Sequence, residues 1–407
     1  MQPESATFVC SPHQSGPKIH NDVKVDMTEL SKGGLISLPT KNAPILRLNG
    51  LAPYYTMFPL TFPFNALRNS RPGDWVLDPF CGRGTTLLAA RLRGLPSIGI
   101  DSNPVAVAIA AAKLVNVSAK QIIKLAAHVL EAWGATNVSD VPTGNFWSLC
   151  FDERTLSDIC RLRTYFLRTC ITQTDIALRG LLLGILHGPR NKGAPTYLSN
   201  QMPRTYSTKP SPAIKYWKSH HLEPVYVDVL DAITRRAHFT FSEVPPFVRG
   251  KVIRDDSRSL KNLSSRTKVS WVVTSPPYYG MRTYFPDHWL RNWFVGGPSD
   301  VCYTDATQLS HAGDESFIQD LASVWYSVAK RCVPNARLVC RFGALPSAEK
   351  DPRQLLRKSL ALADCGWTVS TIRNAGASTR GKRQSDQFGA GRSTPIDEID
   401  LYAVLKK

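Results

Sequence analysis

The segment from residue 74 to residue 101 constrains the fold of this chain more than any other. Residues 74–78 are typical of a strand, residues 79–86 of a glycine-rich turn, and residues 87–93 of a helix. Gly94-Leu95-Pro96 then leads into a second strand, residues 97–100, which ends at Asp101. Strand, helix and strand in this order indicate a parallel βαβ unit. We therefore predict an α/β fold with a doubly wound, mostly parallel Rossmann-like sheet.

The glycine-rich turn predicts a nucleoside site. Gly82 and Gly84 let the backbone approach a ligand, and Asp101 can accept hydrogen bonds from ribose hydroxyls. The third glycine of the dinucleotide fingerprint and the Gly-Lys-Ser/Thr of a P-loop are both missing. Asp78 would repel a pyrophosphate but attract the ammonium of a methionine moiety. S-adenosylmethionine is the predicted cofactor, with contacts from the turn and its flanks: Asp78, Phe80, Gly82, Gly84, Thr85 and Asp101.

A second motif, Ser275-Pro276-Pro277-Tyr278, follows an apolar run typical of a buried strand. Two prolines fix the backbone and remove two amide donors, so nearby carbonyl oxygens can accept from a ligand. Ser275 adds an acceptor and Tyr278 an aromatic face. This set fits a planar heterocycle whose exocyclic amine donates to Ser275 and to a carbonyl near Pro276, which makes the nitrogen nucleophilic. The alternative is a proline-stiffened loop with a surface tyrosine.

The stretches DPFCGRGTT (78–86), GIDSNP (99–104) and TSPPYYG (274–280) together resemble the signature motifs of site-specific DNA methyltransferases that modify exocyclic amines. The leading serine is similar to the cytosine-N4 branch, because adenine-N6 enzymes more often carry Asp or Asn there. The resemblance covers about residues 50–115 and 250–345, with a closing strand at 399–405.

The resemblance implies transfer of a methyl group to an amine of a base in double-stranded DNA, with the base flipped out of the stack. It also implies that Phe58 lies in the segment closing over the methionine end of the cofactor. Asp256, with Asp255 as its rival, would approach the adenine amine.

Two features depart from the family pattern. Arg83 stands between the glycines, where the family usually has a small residue, and would either crowd or cover the cofactor. A long insertion separates the two halves of the site, and helical periodicity recurs in it at 118–133, 155–169 and 174–187. The predicted division is a mobile arm (1–40), a cofactor-binding half (41–115), a helical insertion with a basic loop (116–250) and a catalytic half (251–407).

Several basic loops are candidate DNA contacts. In residues 188–218, cations for phosphates and amides for base edges alternate with aromatic residues, although these aromatics could instead anchor an ordered loop. Trp289 and Trp293 after the catalytic motif could line the base pocket or pack in the core. The predicted DNA contacts are Arg190, Lys192, Asn200, Gln201, Arg204, Lys209, Arg282, Arg380, Lys382 and Arg383.

Composition is consistent with a nucleic-acid partner. Fifty Lys and Arg against 32 Asp and Glu give a formal charge of +18, which favours polyanions. The chain contains no apolar run of ~18 or more residues, so no membrane span is expected. The N-terminus lacks a basic region followed by an apolar one, so no secretory signal is expected. A cytoplasmic protein is expected, associated with the nucleoid if the source is prokaryotic. The nine cysteines form no metal-binding spacing, so we predict reduced thiols and no metal site.

The cysteines also exclude one reaction. Carbon-5 cytosine methylation needs a thiolate normally presented after a proline, and the chain contains no Pro-Cys pair. The open alternatives are an adenine-N6 DNA methyltransferase, an RNA or protein-glutamine methyltransferase of the same fold, and a non-catalytic nucleic-acid-binding descendant. No nuclease motif is present, so in a restriction-modification system a separate cognate nuclease would cut the DNA.

Overall fold

The structure, a computed structural model, describes residues 34–54, 58–132, 141–189, 193–202, 209–280, 288–301, 309–310, 313–344, 350–377 and 397–406. Several predicted features lie outside these residues: most of the N-terminal arm (1–33) and the candidate DNA contacts Arg190, Lys192, Arg204, Arg282, Arg380, Lys382 and Arg383.

Seven strands form one sheet in the order β3-β2-β1-β4-β5-β7-β6. The strands are β1 (Val76–Asp78), β2 (Ser97–Asp101), β3 (Gly250–Arg254), β4 (Val269–Thr274), β5 (Cys332–Gly343), β6 (Trp367–Ala377) and β7 (Asp397–Leu405). Strands β1 to β5 pair in parallel, and β7 is antiparallel to both β5 and β6. The predicted doubly wound, mostly parallel α/β sheet is confirmed, and its strand order reverses between β1 and β4, where such sheets bind ligands.

Twelve α-helices flank the sheet within the described residues. They are α1 (Thr61–Ala66), α2 (Thr85–Leu92), α3 (Pro104–Ala111), α4 (Ala119–Ala132), α5 (Asn145–Cys150), α6 (Glu153–Thr169), α7 (Gln173–Ile185), α8 (Pro210–Ser219), α9 (Val229–Thr240), α10 (Trp289–Phe294), α11 (Asp314–Ala329) and α12 (Pro352–Ala363). None of these described helices combines the length and apolarity needed to cross a bilayer.

The helices of the insertion, α4 to α9, pack onto the cofactor half of the sheet. Their apolar faces share one core with α2 and α3, to which Leu88, Ile109, Ile122, Leu181 and Ile233 all contribute. Close approach also fixes α7, since a Cβ on Gly184 would lie 2.1 Å from the Leu51 carbonyl oxygen. The insertion is thus a second layer built against the cofactor half, in contact with the elements that shape the glycine turn.

A buried arginine ties the exit of the insertion to the cofactor helix. The Arg91 side chain on α2 donates to the carbonyls of Lys113 and Val115, both at 2.8 Å, and to those of Pro245 and Pro246. These hydrogen bonds satisfy a cation that would be costly to bury alone. They hold the chain that enters β3 against the chain that leaves α3.

Two described residues of the predicted N-terminal arm contact the end of α2. Leu35 donates its backbone N–H to the Leu92 carbonyl at 2.7 Å, and the Arg93 guanidinium binds the carbonyls of Leu35 and Ile36. These bonds fasten residues 35 and 36 to the end of α2. Residues 35 and 36, which the sequence assigns to the arm, are therefore bonded to the fold.

Candidate active site

The two predicted motifs meet at the carboxyl edge of the sheet. Thr274, the last residue of β4, donates its hydroxyl to Asp78 Oδ1 at 2.6 Å, across 196 positions of sequence. Asp78 ends β1 and precedes the glycine turn, whereas Thr274 precedes the Ser-Pro-Pro-Tyr motif. Because β1 and β4 are paired parallel neighbours, both turns leave the sheet on the same side. One buried hydrogen bond thus joins the cofactor turn to the catalytic turn.

The glycine turn has the backbone geometry that its sequence predicts. Gly82 and Gly84 have φ of +48° and +78°, in the left-handed region that side chains rarely adopt. A Cβ on Gly84 would also lie 2.9 Å from Cα of Ala110 on α3. Since Gly84 is the residue before α2, the helix begins at Thr85 rather than at residue 87. The turn therefore brings bare backbone and a helix N-terminus to the sheet edge.

Asp78 fits the ammonium group of a methionine moiety. Its side chain is fully buried, and Oδ1 also accepts the N–H of Phe80 at 3.1 Å. Oδ2 has no hydrogen-bond partner among the described residues. Burial raises the pKa of Asp78 to about 6, although hydrogen bonds such as that from Thr274 oppose the change. The Thr86 hydroxyl also lowers the pKa of Asp78, but its geometry leaves Oδ2 open to a further donor, so above this pKa Asp78 presents an ionised carboxylate beside the turn.

Asp101 lies at the end of β2, where ribose recognition is predicted. Its carboxylate accepts the N–H of Gly82 through Oδ2 and the N–H of Asn103 through Oδ1, both at 2.9 Å. These two bonds lock the acid to the glycine turn on one side and to the start of α3 on the other. The described residues thus offer a glycine cradle, an orphaned carboxylate oxygen and a fixed strand-end acid, a set that fits S-adenosylmethionine.

The two candidates for the adenine amine differ in their surroundings. Asp255 directly follows β3, donates its N–H to the Asp101 carbonyl at 3.2 Å, and accepts backbone N–H groups at both carboxylate oxygens. Asp256 instead binds the Arg258 guanidinium, with a shortest distance of 2.7 Å. Burial alone would raise the pKa of Asp256, but the hydrogen bonds from Arg258 lower it overall. Asp256 is committed to a salt bridge, and its rival Asp255 lies beside Asp101.

The other predicted cofactor residues occupy different parts of this edge. Thr85 is buried at the start of α2, and Phe80 packs partly buried on the core beneath β1 and β4. Phe58 makes a T-shaped contact with Phe62 of α1, with ring centroids 5.3 Å apart. The structure brings Phe80 and Thr85 onto the glycine turn and sets Phe58 against α1.

Tyr54 is a site residue that the sequence motifs did not reveal. Its ring lies 3.8 Å from the position of a Cβ on Gly82, and its hydroxyl accepts from Asn103 Nδ2 at 3.5 Å. The ring stacks on His288, with centroids 4.7 Å apart and an interplanar angle of 22°. Tyr54 therefore forms a wall over the cofactor turn, held by the residue that precedes α10.

The catalytic turn is fixed by strands far away in sequence. Tyr279 donates its N–H to the Gly343 carbonyl at 3.2 Å, and its bridge to Ala344 extends the pairing of β4 with β5 beyond the prolines. Gly343 is paired with Glu398 on β7. The register therefore sets Glu398 across the sheet edge from the turn.

Glu398 affects the pKa of Tyr278 in the catalytic turn. Burial raises the pKa of Tyr278, and the negative charge of Glu398 together with a hydrogen bond to its carboxylate raises it further; the charge of Arg341 and a hydrogen bond with Ser275 lower it. The ring also makes a T-shaped contact with Phe342, with centroids 5.9 Å apart. Glu398 therefore acts on Tyr278 across the sheet edge, and sequence reasoning missed it because no local signal links residue 398 to residue 278.

The described candidates for DNA contact fall into two groups. Asn200 is buried, donates Nδ2 to the carbonyls of Leu149 and Leu222, and accepts the N–H of Gln201. Its amide is thus used to hold the insertion together, and the prediction that it reads a base edge is corrected. Lys209 is exposed at the start of α8, while the Gln201 carbonyl accepts from the indole of buried Trp217.

The tryptophans after the catalytic turn pack in the core. Trp289 and Trp293 are each 2% exposed, and both contact Trp147 of α5, with centroid distances of 5.8 and 4.6 Å. Of the two interpretations left open, core packing is the one observed. No group of three or more metal-ligating side chains occurs among the residues that the structure describes.

Comparison with known proteins gives a family match in the cofactor-binding half of the chain. Residues 40–112 match the family model described as DNA methylase, N6_N4_Mtase. The predicted resemblance to exocyclic-amine DNA methyltransferases is confirmed over this segment, and the match supports S-adenosylmethionine as the cofactor. The Type II methyltransferase M.MjaII of Methanocaldococcus jannaschii is 34% identical over 84 residues, which are 20% of this chain and 16% of that protein. The chain therefore spans a small part of this curated relative.

Solved structures give weaker likenesses. TrmN from Thermus thermophilus has 11% identity and a TM-score of 0.33, covering 89% of this chain and 53% of that one. The rRNA methyltransferase AviRa from Streptomyces viridochromogenes has 14% identity and a TM-score of 0.33, with coverages of 88% and 92%. A geranyl diphosphate methyltransferase in complex with SAM has 9% identity and a TM-score of 0.29, with coverages of 85% and 84%. At these TM-scores the likenesses carry no argument about function.

Proposed function

We propose that this protein is an S-adenosylmethionine-dependent DNA methyltransferase that methylates the exocyclic N4 amine of cytosine within a specific sequence. The observation that carries the proposal is the hydrogen bond from Thr274 to Asp78. It couples the cofactor turn, whose segment matches the DNA methylase family, to a Ser-Pro-Pro-Tyr turn suited to an aromatic amine. A bound nucleoside and a bound base would therefore meet at one edge of the sheet.

The residues of the cofactor turn bind and orient in this proposal. Asp78 Oδ2 accepts from the ammonium of the methionine moiety, and Asp101 holds the ribose hydroxyls. Tyr54 covers the turn and excludes water from it. When bound, S-adenosylmethionine supplies an electrophilic methyl group on a sulfonium.

The residues of the catalytic turn hold the target base. Because a stacked base cannot reach the sheet edge, cytosine flips out of the duplex at a cost of a few kcal/mol. Ser275 Oγ and a carbonyl near Pro276 accept the two amine hydrogens, and Tyr278 orients the ring. The amine nitrogen forms the new N–C bond as the S–C bond breaks, and the surplus proton leaves to water. Positioning of the two reactants supplies much of the acceleration.

Serine at position 275 supports the cytosine-N4 assignment over adenine-N6, on the resemblance given above. The formal charge of +18 supports a nucleic acid over a protein substrate. In a restriction-modification system, we propose that a separate nuclease recognising the same sequence would cut the DNA.

The test is methyl transfer to DNA. The purified protein is incubated with labelled S-adenosylmethionine and unmethylated genomic DNA at low salt, and the nucleosides are analysed by mass spectrometry. We expect N4-methylcytosine from the wild type, a loss of at least ~100-fold in Ser275→Ala by removal of an orienting acceptor, and no change in Ser323→Ala. Ser323 is a matched exposed serine on α11.

Other products would revise the proposal in defined ways. N6-methyladenine would keep the fold and mechanism but overturn the choice of base. Methylated RNA or protein, with DNA unmodified, would overturn the substrate class. Absence of any cofactor binding would favour a non-catalytic nucleic-acid-binding descendant.

A further inference from the structure

Arg83 is a half-buried cation on the cofactor turn. It lies between Gly82 and Gly84, so its backbone is held by two left-handed residues of the cofactor turn. Its Nε atom is buried without a hydrogen-bond partner, and no carboxylate among the described residues forms a salt bridge with it. Burial lowers the pKa of Arg83 to about 10, so it is charged at neutral pH.

A second buried cation lies close to the first. Lys113, just beyond α3, is fully buried, and its ammonium donates to two oxygens of Asn49, at 3.4 and 3.5 Å, within the described residues. Burial lowers the pKa of Lys113 well below its usual value, and the charge of Arg83 lowers it further. Burying the Arg83 guanidinium beside the Lys113 amino group is costly, because neither group forms a salt bridge among the described residues. An anion at this place would offset that cost.

A buried acid lies at the start of the same turn. Asp78, the residue from which the turn leaves β1, has a buried carboxylate oxygen, Oδ2, without a partner among the described residues. A carboxylate with one open oxygen and a guanidinium without a salt bridge, both on one turn, match a ligand that carries an ammonium and a carboxylate on the same carbon. The methionine moiety of S-adenosylmethionine is such a zwitterion.

We propose that Arg83 binds the carboxylate of the methionine moiety of the cofactor, with Lys113 reinforcing the positive potential beneath it. The inference rests on the cofactor of the proposed function and explains why a long cation is tolerated where small residues are the rule. A guanidinium suits this role because its planar fork can bind a carboxylate through two parallel hydrogen bonds. Arg83 is then a specificity residue for the amino-acid end of the cofactor.

The test compares two nucleosides that differ by one carboxylate. Isothermal titration measures S-adenosylhomocysteine and its decarboxylated analogue, which keeps the amine, binding to the wild type, Arg83→Met, Arg83→Lys and Arg68→Met. Arg68 is a matched exposed arginine nearby in sequence. Arg83→Met is expected to weaken S-adenosylhomocysteine by about 10- to 100-fold, as loss of a charged hydrogen bond does, and to change binding of the decarboxylated analogue less than ~2-fold.

Two further variants separate the charge of Arg83 from its planar geometry and from a general effect of losing an arginine. Arg83→Lys should retain part of the preference for the carboxylate, because it keeps the charge and loses the fork, and Arg68→Met should match the wild type. Retained binding of the decarboxylated analogue also establishes that Arg83→Met is folded.

The inference and the proposed function fail in different ways. Equal weakening of both nucleosides by Arg83→Met, or no weakening of either, would overturn the role of Arg83 while leaving the cofactor in place. Unchanged nucleoside binding with weakened DNA binding would assign Arg83 to a phosphate instead. A wild type that binds neither nucleoside would overturn the cofactor itself, and with it the proposed function.

Discussion

The cofactor turn and the catalytic turn leave neighbouring strands at the same edge, yet they are held in different ways. The cofactor turn is fixed by its own βαβ unit and the helix that follows, because Gly82 binds Asp101 and Gly84 packs against Ala110. The catalytic turn is fixed by Gly343 and Glu398, which lie on β5 and β7, far along the chain. One site thus combines a locally encoded half with a half assembled by the sheet.

This difference predicts which substitutions have local effects and which act through residues on other strands. Substitutions in the cofactor turn should act through backbone strain and lost ligand contacts. Substitutions around the catalytic turn should act through partners on other strands, and pairs of them should be coupled.

The largest effect is expected at Gly84. Gly84→Ala adds a left-handed strain of roughly 1–2 kcal/mol and a clash with Ala110 at 2.9 Å that costs a further ~1–3 kcal/mol. We expect a loss of about 2–5 kcal/mol in the free energy of unfolding and loss of cofactor binding. Urea denaturation and titration with S-adenosylhomocysteine measure the two effects.

Gly73 offers a matched control for Gly84. It has φ of +89°, but a Cβ added there would meet no other atom within 4 Å, so Gly73→Ala isolates the strain from the clash. Equal destabilisation by the two substitutions would contradict the close packing of the turn on α3.

The buried carboxylate of Asp78 is expected to lower the stability of the protein at neutral pH while favouring cofactor binding. Its pKa of about 6 lies above the usual 3.8, so the folded protein binds a proton more tightly than the unfolded chain. Its contribution to stability is therefore complete below pH 3.8 and falls as the pH rises towards 6, by up to about 3 kcal/mol.

Asp78→Asn removes this buried charge and can keep the acceptor for Thr274. At neutral pH we expect the variant to be more stable than the wild type, by up to ~3 kcal/mol, and to bind S-adenosylhomocysteine at least ~10-fold more weakly through loss of a charged hydrogen bond. Chemical denaturation above and below the pKa of Asp78 should show the stability difference shrinking at the lower pH. Unimpaired nucleoside binding by the variant would contradict the role assigned to Asp78.

The smallest effect is expected at the pair of Tyr278 and Glu398. Tyr278→Phe and Glu398→Gln should each lower kcat about 10-fold by weakening the hold on the catalytic turn, equivalent to about 1.4 kcal/mol, and leave the affinity for S-adenosylhomocysteine unchanged. Because both act through one hydrogen bond, the double variant should lose little more than either single variant.

A double-mutant cycle on kcat measures this coupling, with Glu131→Gln, an exposed acid on α4, as the control. Additive losses would separate Glu398 from the catalytic turn. Weaker nucleoside binding by Tyr278→Phe would instead connect the two turns more tightly than the structure indicates.

The insertion marks a limit of interpreting polar residues from sequence. Asn200 and Trp217 lie in a stretch rich in DNA-contacting residue types, and both are buried with their polar atoms bonded to backbone carbonyls. Composition cannot distinguish an amide that reads a base from one that closes a loop, because both roles use the same donor and acceptor atoms. Only packing decides which partners those atoms meet. The strand predicted at residues 74–78 is shorter in the structure, because the backbone N–H of Asp74 donates to the Arg71 carbonyl in a turn rather than to a neighbouring strand.

Local sequence was enough to predict the glycine turn, the acid at the end of β2, the parallel order of the first strands and four of the twelve described helices (α2, α4, α6 and α7), because each depends on neighbours within a few turns of chain. The residues that surround that turn emerged only from the folded chain: Tyr54 as its wall, Glu398 as the partner of Tyr278, and Arg83 beside Lys113. Those contacts depend on which strands become neighbours in the sheet and on which charges burial leaves without a partner. Neither property is written in local spacing.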